Sequence, residues 1–179
     1  MLETERLVLD PWQPDDWTRL RPIATDPEVM LYITGGTPWS DDQIRGFVGR
    51  QIALHREQGY CRWKLLEKPG RGSLIGFCGV GRFRDYDEPE IGWWLAHPWW
   101  GRGLATEAAV AALRDVFERV RLDRVVSIAM PANTASTRIM QKLGLEFECE
   151  FEDQGVRLVR YAISRARYTS RAGQERAFS

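Results

Sequence analysis

The segment Trp100-Gly101-Arg102-Gly103-Leu104-Ala105-Thr106-Glu107 joins a strand-like run, Glu90-Ile91-Gly92-Trp93-Trp94-Leu95, to an apolar helical run from about Gly103 to Val120. Two glycines at such a junction let consecutive backbone N–H groups turn toward one point at the positive end of a helix, which is how proteins hold phosphate. The helical run places Leu104, Ala108, Ala112, Val116 and Val120 on one stripe, with Ala105, Ala109, Leu113 and Phe117 beside it. That apolar face is wide enough to lie on a sheet. Beyond it Val125-Val126-Ser127-Ile128-Ala129 reads as a buried strand, so strand, helix and strand form a βαβ unit with a parallel strand pair.

The flanking sequence supplies the rest of the sheet. Arg6-Leu7-Val8-Leu9 is a short alternating strand, and Pro14-Asp15-Asp16-Trp17 opens a helix to about Ala24, with proline and acids in its first turn. Asp26-Pro27 breaks it, and Tyr32 to Trp39 reads as a loop rich in glycine and aromatics. Ser40 and Gln43 form a capping box for a helix ending near Gly59. Strands are expected at 60–67, 73–83 and 89–95, the first two joined by a turn at 68–72. A short helix from Thr134 stops at Gly144, and 147–151 with 156–163 flank Asp153-Gln154-Gly155 as a terminal hairpin. One domain over 1–168 is expected, with a loose polar tail over 169–179.

Composition excludes several partners. Lys+Arg and Asp+Glu are both 25, so no bulk field attracts nucleic acid or an anionic membrane. No apolar run reaches the ~20 residues of a membrane helix. The charged start, Met1-Leu2-Glu3-Thr4-Glu5-Arg6, differs from the apolar core of a signal peptide, so the cytoplasm is the expected location. Cys61, Cys78 and Cys149 lack metal-ligand spacing, and His55 and His97 are the only histidines. No metal is expected, and the cysteines read as reduced fillers.

A second block, Asn133-Thr134-Ala135-Ser136-Thr137-Arg138-Ile139-Met140-Gln141-Lys142-Leu143-Gly144, makes the glycine turn more specific. With the opening Glu3-Thr4-Glu5-Arg6-Leu7-Val8-Leu9 and the Glu90-Ile91-Gly92 strand, these blocks resemble the GNAT superfamily of acetyl-CoA-dependent N-acetyltransferases over about residues 3–164. Within it the chain resembles the RimJ/RimL-type branch, the ribosomal-protein N-terminal acetyltransferases. The resemblance implies an α/β fold: a central mixed, mostly antiparallel twisted sheet of six to seven strands, about four flanking helices, and a splayed parallel strand pair. It implies acetyl-CoA as co-substrate, a primary amine as acceptor, and no metal. Backbone groups of Trp94, Leu95 and Ala96 would then hold the pantetheine arm. The turn Trp100, Gly101, Arg102, Gly103, Leu104, Ala105 and Thr106 would take the pyrophosphate. The family's turn starts with Gln or Arg, where this chain has Trp100, a residue that makes no salt bridge. A P-loop reading fails for want of Gly-Lys-Ser/Thr, and the turn does not begin a dinucleotide-binding Gly-x-Gly-x-x-Gly.

Direct acetyl transfer needs a deprotonated amine near the thioester, a donor for the developing oxyanion and a proton for the departing thiolate. A backbone N–H near Leu95 is the expected oxyanion donor. Strand alternation puts Glu88, Glu90, Gly92 and Trp94 on one face. Glu90 is read either as the group handling the amine's proton, directly or through water, or as half of a structural salt bridge to an arginine; Glu88 is the weaker candidate. Asn133 and Ser136 read as helix caps, and by resemblance as groups facing the acetyl-CoA sulfur. Glu107 complements the helix dipole. His97 is read as structural, and Tyr32, Trp39, Trp93 and Trp94 as core or acceptor wall. A non-catalytic acyl-CoA-binding or sensor module is the alternative to the enzyme, and the terminal hairpin offers an edge for a possible homodimer.

Overall fold

The structure is a computed structural model that describes residues 1–68, 72–83 and 87–177; the centre of the expected turn at 68–72 and the last two residues of the tail lie outside the described residues. Among the described residues eight strands form one sheet: β1 (Leu2–Glu3), β2 (Leu7–Asp10), β3 (Arg62–Glu67), β4 (Leu74–Arg82), β5 (Pro89–Leu95), β6 (Arg124–Ala129), β7 (Glu146–Asp153) and β8 (Val156–Ser164). Their order is β1-β2-β3-β4-β5-β6-β8-β7. Only β5 and β6 run parallel; every other neighbouring pair is antiparallel. The helices are α1 (Trp17–Ala24), α2 (Pro27–Thr34), α3 (Asp41–Gln58), α4 (Leu104–Arg114), α5 (Thr134–Lys142) and α6 (Arg165–Ala177).

The parallel pair, the crossover helix and the terminal hairpin stand where the sequence puts them. The additions are small. Leu2 and Glu3 fold back on Leu9 and Val8 as a two-residue edge strand. Asp26-Pro27 opens a helix rather than only closing one: Asp26 caps α2 by accepting from the Glu28 N–H, Pro27 fills its first turn, and Gly35 ends it at φ 72°. The loop expected from Tyr32 therefore starts as the last turn of α2. Residues 165–177, the greater part of them expected as loose tail, are helical.

Helix α4 packs on β4 and β5 through Leu104, Ala108, Ala109, Ala112 and Leu113. Its alanines let the helix lie close to the strands. A single π turn, Asp115–Arg119, continues it and buries Val116 and Phe117. On the other face of the sheet Phe47 of α3 meets Phe77 of β4 at 4.7 Å between ring centroids, and Trp12 and Trp39 at 5.7 Å each. Trp94 of β5 closes the cluster at 4.6 Å from Trp39 and 4.8 Å from Phe77. Packing thus claims Trp39 and Trp94, two of the aromatics considered for an acceptor wall.

A buried ion pair fixes α1 to this face. Lys64 Nζ lies 2.6 Å from Asp16 Oδ2 and 3.4 Å from Asp10, with Lys64 4 % and Asp16 5 % exposed. Burial alone would raise the Asp16 pKa, but the bonds from Lys64 and the Gln13 N–H outweigh it and hold the carboxyl below its ordinary range. Asp16→Asn leaves the Lys64 ammonium buried without its closest counter-charge. It should cost about 3 kcal/mol in urea unfolding near neutral pH, and a loss under about 0.5 kcal/mol would mean that solvent or Asp10 compensates.

Candidate active site

The decisive geometry is in the backbone of the parallel pair. The register joins β5 to β6 at a single bridge, Glu90↔Val126, whereas β4 and β5 pair over seven positions and β6 and β8 over six. Beyond that bridge the two strands part. The Ala96 N–H donates to the Ile75 carbonyl at 2.8 Å, which sets the phase of the β4–β5 ladder. Trp94 and Ala96 turn their polar groups toward β4, and Ile91, Trp93 and Leu95 turn theirs toward β6. On the other wall the Arg165 N–H donates to the Asp123 carbonyl at 2.9 Å, so Val126 and Ile128 face β5. The result is a cleft lined by strand backbone, open toward the carboxyl ends of both strands. The expected backbone wall of Trp94, Leu95 and Ala96 is corrected in detail: of these, Leu95 faces the cleft, and Trp93 joins it.

Both loops that follow the parallel strands lie at that same end, where ligands bind in open α/β sheets. After β5, a short 3-10 turn over His97–Trp99 leads into Trp100 and the glycine turn. Gly101 and Gly103 adopt φ 71° and 77°, the left-handed region that side chains other than glycine's rarely enter. Nothing lies within 4 Å of where a Cβ on Gly101 would sit, so the turn faces open space. The first helical bond runs from the Glu107 N–H to the Gly103 carbonyl at 3.0 Å, and the N–H groups of Leu104, Ala105 and Thr106 have no intrahelical acceptor. Arg102 is exposed beside them. This donor set suits a diphosphate.

Trp100 does not reach over the cradle as a long polar side chain would. Its indole Nε1 donates to the Leu95 carbonyl at 2.7 Å, while its ring is 45 % exposed and packs against His97 at 4.8 Å. His97 Nδ1 lies 2.6 Å from Glu28 Oε2 on α2, consistent with the structural reading of this histidine. At the inner end of the cleft Ser127 Oγ donates to the Ile91 carbonyl at 2.9 Å. Sequence reasoning passed over Ser127 as one residue of a buried strand; a hydroxyl inside an otherwise aliphatic run was the available signal.

The second loop brings Asn133 and Ser136 to the start of α5. Asn133 Oδ1 accepts from the Ser136 N–H at 3.2 Å, a helix cap. Both residues are half-buried, and among the described residues neither the Asn133 amide nitrogen nor the Ser136 hydroxyl bonds to protein. One cap therefore leaves two donors free beside the cleft.

Glu90 stands apart from that picture. It is 4 % exposed and ion-paired to Arg62, whose guanidinium also bonds the Arg82 carbonyl at 3.2 Å. A Cβ on Gly81 would lie 3.0 Å from that guanidinium, so the absence of a side chain there gives Arg62 its room. The salt-bridge reading of Glu90 describes what the side chain does here. Glu88 is likewise paired, to Arg160 and, at 3.3 Å, to Arg124. Burial pushes the Cys61 thiol up to about 12 and Cys78 higher still, so neither supplies a thiolate. No three His, Cys, Asp or Glu side chains among the described residues gather as metal ligands. A cavity of about 590 Å³ opens elsewhere, lined by Arg121, Asp123, Arg165 and Ser170 among others, and gathers no reacting group.

The family model for the acetyltransferase (GNAT) domain matches residues 6–146. The chain belongs to the GNAT acetyltransferase family. It is 26 % identical over 151 residues to YnaD of Bacillus subtilis, an uncharacterized N-acetyltransferase, covering 84 % of this chain and 85 % of that one. A GNAT-family acetyltransferase structure from Bacillus anthracis superposes with TM-score 0.76 at 26 % identity, over 92 % of this chain and 98 % of its own. RimL, a ribosomal L7/L12 N-terminal acetyltransferase solved with coenzyme A, shares the fold with TM-score 0.75 over 90 % of this chain and 95 % of its own, at 18 % identity.

The amino-terminal block also has a structural role at the cradle. Glu107 in the first turn of α4 accepts from Thr4 Oγ1 at 2.5 Å, the Arg6 N–H at 2.9 Å and Arg6 Nε at 2.7 Å, and Arg6 Nη1 bonds the Arg102 carbonyl at 3.0 Å. The β1–β2 turn is thereby clamped to the cradle, a long-range role beyond complementing the dipole. Burial alone would raise the Glu107 pKa, but these bonds outweigh it and lower it below its ordinary 4.5. The carboxylate's contribution is thus present at neutral pH and lost as pH falls through that lowered value. Glu107→Gln should lower the unfolding temperature near neutral pH, by the equivalent of about 1 kcal/mol. The difference from wild type should shrink as pH falls through that lowered value; a gap that persists below it would mean the clamp does not depend on the charge.

Proposed function

We propose that this protein is an N-acetyltransferase that moves the acetyl group of acetyl-CoA to a primary amine, either a protein N-terminal amine or that of a small molecule. The observation that carries the reading is the union of a backbone-lined cleft with a glycine cradle at its mouth. A pantetheine arm presents amides that a parted strand can pair with, and its diphosphate needs the N–H groups at the start of α4. Gly101, Arg102, Gly103, Leu104, Ala105 and Thr106 would hold the diphosphate. Trp100 would flank it, and the backbone N–H and C=O of Trp93 would hold the arm. The resemblance of the sequence blocks to the RimJ/RimL-type branch keeps a peptide N-terminus among the acceptors.

Bound acetyl-CoA supplies a thioester carbonyl that an amine can attack, and the chain's own groups do the rest. The Leu95 N–H faces the cleft and donates to the oxygen on which negative charge develops. Ser136 gives or shares a proton with the departing sulfur, and Asn133 fixes Ser136 through the helix cap. Cys61 and Cys78 supply no thiolate to carry the acetyl group, which accords with a direct transfer in a ternary complex; an acetylated Cys149 on the turnover pathway would refute it. Glu90, committed to Arg62, holds the floor of the site in place, and the amine's proton leaves through water. The edge offered by β7 carries Glu146, Glu148, Glu150 and Glu152, charges that blunt strand-to-strand association, so the hairpin is not assigned as a dimer seam.

The same commitment of Glu90 favours a second reading, an acyl-CoA-binding module without turnover. Calorimetric titration with acetyl-CoA, then thiol release over peptides beginning Ala, Ser or Met and over small amines, separates the two. Binding with release for one acceptor class establishes the enzyme. Binding without release of thiol from any amine favours the module, and no binding refutes both. Gly101→Asp places a carboxylate in open space at the cradle, in a residue that tolerates the left-handed conformation comparatively well. It should leave the unfolding temperature within a few degrees and weaken acetyl-CoA binding by at least about tenfold; unchanged affinity would refute the cradle.

A further inference from the structure

The β5–β6 ladder stops beside one carbonyl, that of Ile91. After the bridge at Glu90↔Val126, the next rung of a parallel ladder would join the Ile128 N–H to the Ile91 carbonyl, since both face the gap. That carbonyl is taken instead by Ser127 Oγ, at 2.9 Å. Ser127 is 1 % exposed, and its hydroxyl has this carbonyl as its acceptor. A buried carbonyl left without a donor is costly; a carbonyl oxygen can accept two bonds, and the Ser127 hydroxyl, by supplying one at 2.9 Å, removes the cost of leaving the Ile128 rung unmade. On β6 the flanking residues Val125, Val126 and Ile128 are β-branched strand formers that favour further pairing, while on β5 Gly92 follows Ile91.

We propose that Ser127 is the positioning residue that holds the cleft open: its hydroxyl takes the Ile91 carbonyl, so the Ile128 N–H stays unpaired on the cleft wall and free for an amide carbonyl of the acetyl-CoA arm. The inference rests on the acetyl-CoA reading for its ligand and on the backbone geometry alone for the opening. Removing the hydroxyl leaves the Ile91 carbonyl to recruit the Ile128 N–H, and the cleft closes by one rung.

The test is Ser127→Ala, which removes the donor without adding bulk. Two measurements are made on the full chain: amide hydrogen exchange of Ile128 without ligand, and calorimetry with acetyl-CoA. In wild type the Ile128 amide should exchange readily and become protected on adding acetyl-CoA. In Ser127→Ala its ligand-free exchange should slow by at least about tenfold as the new rung forms, and acetyl-CoA should bind about tenfold more weakly. A hydroxyl with a merely structural role would lower the unfolding temperature and leave Ile128 exchange unchanged or faster, and that result overturns the proposal. So does unaltered acetyl-CoA affinity in the variant when wild type binds. If wild type fails to bind acetyl-CoA, the functional reading falls, while the exchange of Ile128 in the two proteins still decides whether Ser127 parts the strands.

Discussion

The parting of β5 from β6 is the constraint on which the rest of this structure depends. A sheet that stops pairing in its own middle leaves strand backbone facing a gap, and every such N–H and C=O needs a partner. Two of the carbonyls on the β5 wall are met by side chains, Ile91 by Ser127 and Leu95 by the Trp100 indole. What is left toward the gap is a short stretch: the N–H and C=O of Trp93 and the N–H of Leu95. A ligand able to exchange amide hydrogen bonds over a few residues satisfies it, which is how the fold converts an interrupted ladder into a binding surface. The hydrophobic work is done elsewhere, by α4 on one face and the Trp12–Phe47–Phe77–Trp94 cluster on the other. The break in the ladder is affordable because neither packing layer depends on it.

An opening of this kind is useful only if its mouth is held at a fixed place. The cradle turn has no side chains of its own to fix it at Gly101 or Gly103, and its conformation is one that few residues share. Its rigidity is borrowed from the chain's start: Thr4 and Arg6 converge on Glu107 and Arg102, tying the first strands of the sheet to the first turn of α4. On the other side Trp100 and His97 lean toward Glu28 of α2. The turn is thus held from both flanks while its backbone donors stay directed outward.

Much of this was legible in the sequence because local signals agreed with one another. The strand, the two glycines and the alanine-rich stripe define the βαβ unit, and α4 buries the residues that its periodicity places inward. The capping box at Ser40 and Gln43 is formed as read. What escaped lay where one residue serves two elements. Asp26-Pro27 stops α1 and starts α2, and only the first function was visible from the helix before it. Ser127 looks like a small residue in a buried strand because its role is a bond to a strand 36 positions earlier. Glu90 shares a face with Glu88, Gly92 and Trp94 as the alternation demands, but that alternation does not reveal that Arg62, across β4, lies over Gly81 and pairs with it. Long-range charge pairing has no local sequence pattern; the glycines that make room for it look like ordinary interruptions of a strand.

Trp100 shows how a departure from a family pattern is resolved by geometry. A Gln or Arg at that position would bring a polar head toward the phosphate, and its loss by itself suggests a weakened site. The indole has a single donor, and that donor is spent on the Leu95 carbonyl. The consequence is twofold. On the proposed reading, attraction for a diphosphate would rest on backbone N–H groups, the α4 dipole and Arg102, none of which depends on the residue at position 100. At the same time, capping Leu95 shortens the free stretch of β5 from its outer end as Ser127 shortens it from the inner. A strand edge offering several equivalent rungs allows an extended ligand to slip by two residues; one offering a single free carbonyl, that of Trp93, does not. On the proposed reading, the residue that departs from the pattern would thus trade a phosphate contact for a fixed register, and register would set how far a thioester reaches toward Asn133 and Ser136.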